Sequence, residues 1–213
     1  MAKDVSITVI KRIPKYYRHL TELSSAGETR ISSKDLSKRT GFTASQIRQD
    51  LNNFGGFGQQ GYGYNVEALR KELGKILGID REYNLVLTGA GNLGHALSNY
   101  KGFKEVGLNI IGVFDVEHEN PRYLTRDKMS EDSLDVRPVE ELKEFIKKNN
   151  VEIGIITTAK RHAQRIADIY VEAGIKGIWN FAAVDLKLPE DVKIEDVRLS
   201  ESLYTLTYFI QDK

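Results

Sequence analysis

The sequence has no cysteine among its 213 residues. Disulfide bonds, thiolate metal sites, thiol nucleophiles and thiol-based redox switches are therefore excluded. If the protein senses redox state, a bound ligand must carry the electrons.

Long apolar runs are also missing. No segment approaches the ~18 apolar residues of a membrane span, and the N-terminal sequence lacks the apolar core of a signal peptide. Hydrophobic residues make up 40% of the chain, which is ordinary for a globular protein with buried cores. We therefore expect a cytoplasmic protein with no membrane partner.

Negative charge is scarce in one part of the chain only. Residues 1–80 contain 13 Lys and Arg against 8 Asp and Glu, whereas residues 81–213 contain 18 against 22. The net charges of the two parts are +5 and −4, although the whole chain is at +1. A basic N-terminal part beside an acidic remainder predicts a polyanionic partner for the basic part.

The first fifty residues are patterned as helices. Apolar residues recur at steps of three and four over 8–25, which predicts a helix that Pro14 bends or restarts. A second helix is capped by Ser32 or Ser33 and ends at Gly41.

A third helix over 44–54 follows the cap residue Thr43 and completes a helix-turn-helix. Ile47, Leu51 and Phe54 face inward in this pattern. The outward face is either simply solvated or reads DNA, since Arg pairs with guanine and Gln and Asn pair with adenine in the major groove. The outward residues are Ser45, Gln46, Arg48, Gln49 and Asn52.

Glycines alternate with aromatic residues over 55–64, which favours a short hairpin with Gln59 and Gln60 at its tip. A hairpin after a helix-turn-helix is the order of a winged helix, and its wing would lie along the DNA backbone or enter a minor groove. Asn65 then caps a closing helix that ends at Gly78. The aromatic wing residues that we assign to the DNA-binding surface are Tyr62 and Tyr64.

A dinucleotide-binding fingerprint, G-x-G-x-x-G, lies between a predicted strand over 83–88 and a predicted helix running through Tyr100. The first glycine permits the tight turn, the second lets a pyrophosphate approach the backbone, and the third lets helix and strand pack closely. The phosphates are expected at the N-terminus of that helix. The predicted cofactor-binding residues of this loop are Gly89, Ala90, Gly91, Asn92, Leu93 and Gly94.

A second strand over 108–115 ends in Asp115, at the place expected for a ribose-binding acid. A carboxylate accepts hydrogen bonds from a ribose 2′-OH but repels a 2′-phosphate, so we expect NAD(H) to be preferred over NADP(H). The alternative is that Asp115 merely caps a loop.

The remaining sequence alternates between helix and strand. Pro138 opens a predicted helix over 139–150, followed by a strand over 151–157, a helix over 161–174 and a strand over 175–181. This predicts a parallel sheet with helices on both faces, in which ligands bind at the strand ends. The candidates for the ribose and nicotinamide are Thr157, Thr158, Asn180, Phe181 and Ala182.

Catalytic machinery is not evident. A dehydrogenase needs a substrate domain and a proton donor, but the Rossmann elements use nearly all of the sequence beyond residue 81. His95 and His162 fit helix surfaces better than a catalytic role, and no metal-ligand cluster is apparent. We therefore predict a regulator and no enzyme. The alternatives are a small NAD-dependent oxidoreductase fused to a DNA-binding domain, and a CoA- or nucleotide-responsive regulator.

The segments IPKYYRHL, TASQIRQDL, FGQQGYGY, GAGNLGHAL and GIKGIWNFA, in this order, resemble the Rex family of bacterial redox-sensing transcriptional repressors. The resemblance covers essentially the whole chain. It implies a homodimer that binds palindromic operator DNA when NADH is scarce and releases it when NADH binds. It also implies that the C-terminal helix is exchanged between subunits.

The resemblance extends to individual positions. It implies that Arg12 contacts DNA together with the third helix, that Gln60 does so at the wing tip, and that Arg18 and Tyr100 lie near the nicotinamide or the domain interface. The family often has Asp where this chain has Arg198, so the contact that couples the nicotinamide to the DNA-binding domain is expected to be built differently here.

We therefore predict an α/β Rossmann domain preceded by an α-rich winged-helix DNA-binding domain. The predicted boundaries are 1–80 for the winged helix, 81–198 for the NAD(H)-binding domain and 199–213 for the C-terminal helix. The apolar stripe of that helix would by itself favour core packing, whereas the resemblance favours exchange in a dimer. The stripe consists of Leu199, Leu203, Leu206 and Ile210.

Overall fold

A computed structural model of the chain describes residues 5–59, 62–117 and 134–211. The chain divides into two units, Met1–Arg81 and Glu82–Lys213. The first is helical with a small antiparallel sheet, and the second is built on a parallel sheet. The predicted fold class is thereby confirmed.

The first unit contains five α-helices and three short strands among its described residues. The predicted helix over 8–25 is two helices, because Pro14 lies in the first turn of the second one, where its missing N–H is not needed. The elements are α1 (Ile7–Ile10), α2 (Ile13–Ser25), β1 (Arg30–Ile31), α3 (Ser33–Thr40), α4 (Ala44–Asn52), β2 (Gly58–Gln59), β3 (Gly63–Asn65) and α5 (Val66–Leu77).

Side-chain caps begin three of these helices where the sequence predicted them. The side-chain oxygens of Ser32, Thr43 and Asn65 each accept a hydrogen bond from the backbone N–H three residues later. Gly41 and Gly78 end α3 and α5 in the left-handed conformation, with φ of +75° and +70°.

The core of the first unit joins its helices to the base of the wing. The sheet order is β1-β3-β2, so β3 lies between the entry strand and the outer strand of the hairpin. Gln60, predicted at the wing tip, lies outside the described residues. The fully buried side chains of this core include Ile13, Tyr16, Leu20, Leu36, Ile47, Val66 and Leu73.

Six parallel strands form the sheet of the second unit, as far as its residues are described. They are β4 (Tyr83–Thr88), β5 (Leu108–Asp115), β6 (Val136–Pro138), β7 (Ile153–Ile156), β8 (Gly177–Asn180) and β9 (Lys193–Asp196). Their order is β6-β5-β4-β7-β8-β9. The chain thus builds the sheet outward from β4 to β6 on one side and then returns to add β7 to β9 on the other side of β4. The crevice beside such a reversal is where doubly wound sheets bind ligands.

The helices of this unit are α6 (Asn92–Ser98), α7 (Leu142–Lys148), α8 (Lys160–Ala173) and α9 (Leu199–Phe209). One sequence expectation is corrected here: the helix predicted through Tyr100 ends at Ser98, and a 3-10 helix over Lys101–Val106 follows it. Pro138 ends strand β6 and precedes a 3-10 helix over Val139–Glu141 that leads directly into α7, so a helical segment does begin there as predicted. Strand β9 was not predicted.

The terminal helix α9 has no buried residue. Leu199, Leu203 and Leu206 are 62%, 59% and 54% exposed, so packing of the stripe into the chain's own core is wrong. The exchange of this helix between subunits stays a prediction. In the part of the chain that the structure describes, no helix is long and apolar enough to cross a membrane.

Candidate functional site

Helix α4 presents the polar face that the sequence predicted. Ile47 and Leu51 are buried on its inner side, and Phe54 packs against the same core just beyond the helix end. On the outer side Gln46 is half-buried and the other predicted DNA-reading residues are exposed. The exposed ones are Ser45, Arg48, Gln49 and Asn52.

Arg48 is tethered at the edge of this face. Its Nη1 donates a 2.9 Å hydrogen bond to the hydroxyl of Ser33, the first residue of α3. The bond gives a long flexible side chain a set direction while leaving it exposed. An arginine held in this way loses less rotamer freedom when it pairs with a base.

Arg12 is not a free surface cation. Its Nε and Nη2 donate to the two carboxylate oxygens of Asp50 at 2.7 and 2.6 Å, and only 15% of its side chain is exposed. The hydroxyl of Tyr16 donates to Asp50 as well, at 2.7 Å. Sequence reasoning missed this network because Asp50 lies 38 residues from Arg12.

The two wing tyrosines have different environments. Tyr62 is 70% exposed, and its carbonyl accepts a 3.2 Å hydrogen bond from Arg30, whose guanidinium lies 5.9 Å from the Tyr62 ring centroid. Tyr64 is only 8% exposed, and burial raises its pKa. The prediction that Tyr64 contacts DNA is therefore corrected: its ring packs in the core, and Tyr62 is the aromatic residue on the wing surface.

Arg18, predicted at the domain interface, is an exposed residue of α2. Its Nε lies 3.8 Å from a carboxylate oxygen of Glu22, and 63% of its side chain is exposed. A pair this long and this exposed stabilises the fold little, so Arg18 is available to another group. Its interface role stays a prediction.

In the second unit, the three glycines of the loop after β4 lie in different environments. A Cβ on Gly89, whose φ is +114°, would lie 2.6 Å from the backbone of Thr157, and a Cβ on Gly94 would collide with the carbonyl oxygen of Gly89. A Cβ on Gly91 would meet nothing within 4 Å. Two glycines are therefore required by the fold, and Gly91 faces open space that a phosphate group can approach.

Asp115 is built into this loop. One carboxylate oxygen accepts the N–H of Ala90 at 2.7 Å and the other accepts that of Glu117 at 2.9 Å. The side chain does cap a loop, as the alternative interpretation had it. Because each carboxylate oxygen accepts more than one hydrogen bond, the geometry leaves the ribose role open as a prediction.

The two threonines after β7 also divide their roles. The hydroxyl of Thr157 donates to the carbonyl of Gly89 at 2.7 Å, so it ties β7 to the glycine-rich loop. The hydroxyl of Thr158 is buried and has no hydrogen-bond partner among the described residues. A buried hydroxyl without a partner is unfavourable, and the contact between Thr158 and the cofactor stays a prediction.

Asn180, predicted near the nicotinamide, is turned into the protein. Its Nδ2 donates to the carbonyl of Val184 at 3.1 Å and to Asp196 at 2.7 Å, and its Oδ1 accepts the N–H of Ala182 at 2.9 Å. The side chain is fully buried. The expectation of a direct cofactor contact is therefore corrected to a role in holding the loop after β8, which contains Ala182.

Arg198 fixes the same loop from the other side. It donates to the carbonyls of Ala182 and Val184, the latter at 2.9 Å, and pairs with Asp185 and Asp196 at 3.0 Å each. Its charge is thus compensated within the second unit. This arginine anchors the start of α9 to the loop at the end of β8.

Aromatic rings line up beside this end of the sheet. Phe103 packs against Tyr100 with ring centroids 4.9 Å apart and against Trp179 at 5.7 Å, and Trp179 packs against Phe181 at 4.6 Å. Tyr100 is 60% exposed, so one end of the row reaches the surface. Phe103 and Trp179 were not singled out in the sequence: Phe103 lies in none of the quoted motifs, and nothing in GIKGIWNFA marks Trp179 as the middle of an aromatic row.

The cofactor candidates therefore meet at one edge, the carboxyl ends of the parallel strands β4, β7 and β8. At this edge lie Gly91 with open space beside it, the hydroxyl of Thr158 without a partner among the described residues, and the row of aromatic rings. Over the described ranges, no group of three or more His, Asp and Glu side chains is placed to hold a metal ion.

Comparisons with known proteins agree with both halves of this description. A family model described as "Putative DNA-binding protein N-terminus" matches residues 4–52, and one described as "CoA binding domain" matches residues 80–184. The redox-sensing transcriptional repressor Rex of Clostridioides difficile (strain 630) is 54% identical over 210 residues, 99% of this chain and 97% of that protein.

Two solved structures are similar over almost the full length. The crystal structure of RSP in complex with β-NAD+ and operator DNA has a TM-score of 0.87 at 51% identity, covering 98% of this chain and 93% of that chain. The crystal structure of RSP in complex with β-NADH has a TM-score of 0.86 at 48% identity, covering 98% and 95%.

Proposed function

This chain belongs to the Rex family of redox-sensing transcriptional repressors, and we propose that it binds palindromic operator DNA and releases it when NADH binds. The observation that carries the proposal is that one chain combines an exposed, base-reading face on α4 with a dinucleotide cleft at the end of a doubly wound sheet. Its curated relatives are named repressors, and RSP forms a complex with operator DNA and β-NAD+.

The DNA-binding half of the proposal rests on α4 and the wing. Arg48, Gln49 and Asn52 offer donors and acceptors suited to base edges in a major groove. Tyr62, on the exposed side of the wing, and Gln60 at its predicted tip are the proposed groove or backbone contacts. The excess of positive charge in residues 1–80 supplies the attraction to phosphates that does not depend on sequence.

The cleft of the second unit fits NAD(H). In this proposal the pyrophosphate lies against Gly91, where a Cβ would meet nothing, Asp115 accepts a ribose hydroxyl, and the hydroxyl of Thr158, which has no partner among the described residues, bonds to a polar ligand atom. Phe181 and Tyr100 offer aromatic surface to the nicotinamide side. The bound nicotinamide supplies the redox signal, because its ring is cationic when oxidised and neutral when reduced.

Dimerisation is proposed through α9. A helix whose apolar stripe is exposed needs a partner to cover it, and a second copy of the chain is the partner that the family resemblance implies. Exchange of α9 would bring the partner's stripe against residues that are exposed in the single chain. A homodimer also matches the two-fold symmetry of a palindromic operator. Because we propose that the protein acts on DNA, we also propose that it is cytoplasmic.

A second candidate ligand is CoA, because the CoA binding domain model matches residues 80–184. The carboxylate of Asp115 disfavours a phosphorylated ribose, and CoA, like NADPH, has one. This argues for NAD(H) over both.

The cofactor half of the proposal is tested with the chain's single tryptophan. Trp179 lies in the aromatic row beside the cleft, so its emission should be quenched by energy transfer to bound NADH. We expect saturable quenching by NADH and weaker binding of NADPH. CoA does not absorb at the tryptophan emission, so its binding is measured by displacement of bound NADH, and we expect no displacement. Displacement of NADH by CoA at concentrations below those at which NADH itself saturates would overturn the assignment.

A further inference from the structure

A buried polar network of the first unit lies between α2 and the DNA-reading helix α4. Asp50, on the inner face of α4, is 2% exposed. Arg12, just before α2, reaches it with two hydrogen bonds of 2.7 and 2.6 Å, and Tyr16 adds a third of 2.7 Å. The ring of Phe42 covers the group: it lies 5.8 Å from the Arg12 guanidinium and meets the Tyr16 ring edge-on.

The two hydrogen-bond donors of this network, Arg12 and Tyr16, keep their protons in the folded protein. The hydrogen bond to Asp50 raises the pKa of Arg12, and burial raises the pKa of Tyr16. Arg12 therefore keeps its proton and Tyr16 keeps its hydroxyl as a donor.

The network does something that the apolar contacts of α4 do not. Ile47 and Leu51 hold the helix through contacts that are largely non-directional, so they tolerate small rotations and shifts. A two-pronged arginine–carboxylate pair has one favourable geometry. Asp50 follows Gln49 directly and lies two residues after Arg48, so a rotation at Asp50 moves both outward side chains by the same angle.

We propose that Arg12, Asp50 and Tyr16 are positioning residues for DNA reading: they fix the rotation of α4 so that its outward side chains meet base edges in register. The proposal rests on the proposed operator binding. It replaces the expectation that Arg12 contacts DNA itself, because the Nε–Nη2 edge of its guanidinium bonds to Asp50 and only 15% of its side chain is exposed. A buried ion pair often adds little stability, and in some proteins it specifies one arrangement instead.

The test uses the double variant Arg12→Met/Asp50→Leu in a Tyr16→Phe background. It removes the network without changing net charge, fills the space with apolar side chains and leaves no buried hydroxyl without its acceptor. Replacing a buried ion pair in this way often leaves a protein as stable or more so. The matched control is Lys75→Gln/Glu72→Gln, which removes an exposed pair of α5. The DNA probes are a palindromic duplex selected from a random library with the wild-type protein and a duplex of scrambled sequence.

We expect the double variant to keep its melting temperature and its affinity for the scrambled duplex, while its affinity for the selected duplex falls ~10-fold or more. Its salt slope should equal that of the wild type, since no phosphate contact is lost. The control variant should show the same ratio of affinities for the selected and scrambled duplexes as the wild type. Arg12→Lys keeps the positive charge but cannot make two parallel hydrogen bonds to Asp50, so its affinity for the selected duplex should fall less than that of the double variant. If the double variant does not fold, Arg12→Lys is used in its place.

Two results would overturn the proposal. If the double variant discriminates the two duplexes as well as the wild type, the network has no role in reading. If it loses equal affinity for both duplexes and its salt slope falls by about 1, Arg12 is a phosphate contact. Failure of the wild type to select any duplex would instead sink the proposed function, and the positioning role with it.

Discussion

In the glycine-rich loop after β4, Gly94 is required by the fold, whereas Gly91 is proposed to be required by the ligand. At Gly94 an added methyl group would strike the backbone of Gly89, which cannot move without disturbing the turn after β4. At Gly91 the same methyl group would touch nothing, and the backbone there, with φ of −61°, suits any residue. The pair therefore makes a matched experiment on the cleft.

We expect Gly94→Ala to lower the free energy of unfolding by about 3 kcal/mol or more, because the close-packed turn must shift. Gly91→Ala should leave that free energy within about 0.5 kcal/mol of wild type, since it alters only the surface. It should nevertheless weaken NADH binding ~10-fold or more by filling the space for the pyrophosphate. Denaturant unfolding and Trp179 quenching give the two readouts. Unaltered NADH affinity in Gly91→Ala would place the phosphates elsewhere.

The carboxylate of Asp115 accepts the backbone N–H groups of Ala90 and Glu117, so a substitution there also affects the loop. Asparagine keeps an oxygen for the N–H of Ala90, loses the acceptor for the N–H of Glu117 and removes the negative charge that opposes a 2′-phosphate. We predict that wild type prefers NADH to NADPH and that Asp115→Asn narrows the ratio of the two affinities by ~10-fold. Asp191→Asn, an exposed change in the same unit, is the control. Equal affinities for both cofactors in the wild type would contradict the assignment.

At the scale of elements, α4 should contribute to specific binding through Arg48. Because this side chain is exposed and already oriented by Ser33, its loss should remove a base contact without unfolding the helix. Arg48→Ala is expected to weaken operator binding by ~1–3 kcal/mol while changing the affinity for scrambled DNA much less. Band-shift titrations measure both. Arg70→Ala on α5, where the arginine is paired with Glu67, is the control; equal losses in the two variants would argue against base reading.

The terminal helix α9 should hold the dimer together. A charge placed within its apolar stripe, as in Leu203→Asp, would be buried without a partner if the stripe packs against a second subunit. We expect this variant to sediment as a monomer at concentrations where the wild type is dimeric. Thr205→Asp adds the same charge to another side of the helix and should disturb the dimer less. A dimeric Leu203→Asp protein would remove α9 from the interface.

Local chemistry explains which elements the sequence could predict. Ser32, Thr43 and Asn65 begin helices through bonds to their own next turn, and Gly41 ends one by its conformation, so the signal lies within a few residues. Strand β9, with the sequence KIED, is exposed at every position. It exists through backbone pairing with β8, and no alternation of apolar residues announces it.

The candidate site was predictable to a similar extent. The glycine-rich loop and Asp115 follow from a motif with fixed spacing, and both lie at the expected edge of the sheet. The division of labour between Thr157 and Thr158, and the inward turn of Asn180, depend on partners up to 68 residues away. Such contacts arise only from the folded arrangement of strands.

For the whole molecule, the account requires two ligands that oppose each other. A two-fold dimer reads a palindrome only if its recognition helices are about one turn of DNA, ~34 Å, apart. A ligand that favours a different arrangement of the dimer therefore weakens operator binding without touching DNA. We expect NADH to be such a ligand and NAD+ to be neutral or mildly favourable to operator binding.

Thermodynamic linkage makes this claim quantitative. The factor by which NADH weakens operator binding must equal the factor by which the operator weakens NADH binding. For a useful switch we expect a coupling of ~1–3 kcal/mol, which is 5- to 150-fold in affinity. A smaller coupling would leave the protein on its operator at any ratio of NADH to NAD+.

The measurement that tests the account most directly is a closed set of titrations on the selected duplex. Operator affinity is measured with saturating NADH, with saturating NAD+ and with neither, and NADH affinity is measured with and without the duplex. The account predicts that NADH alone lowers operator affinity, by ~5- to 150-fold, and that the duplex lowers NADH affinity by the same factor. Operator affinity that does not change with NADH would contradict the redox-sensing function.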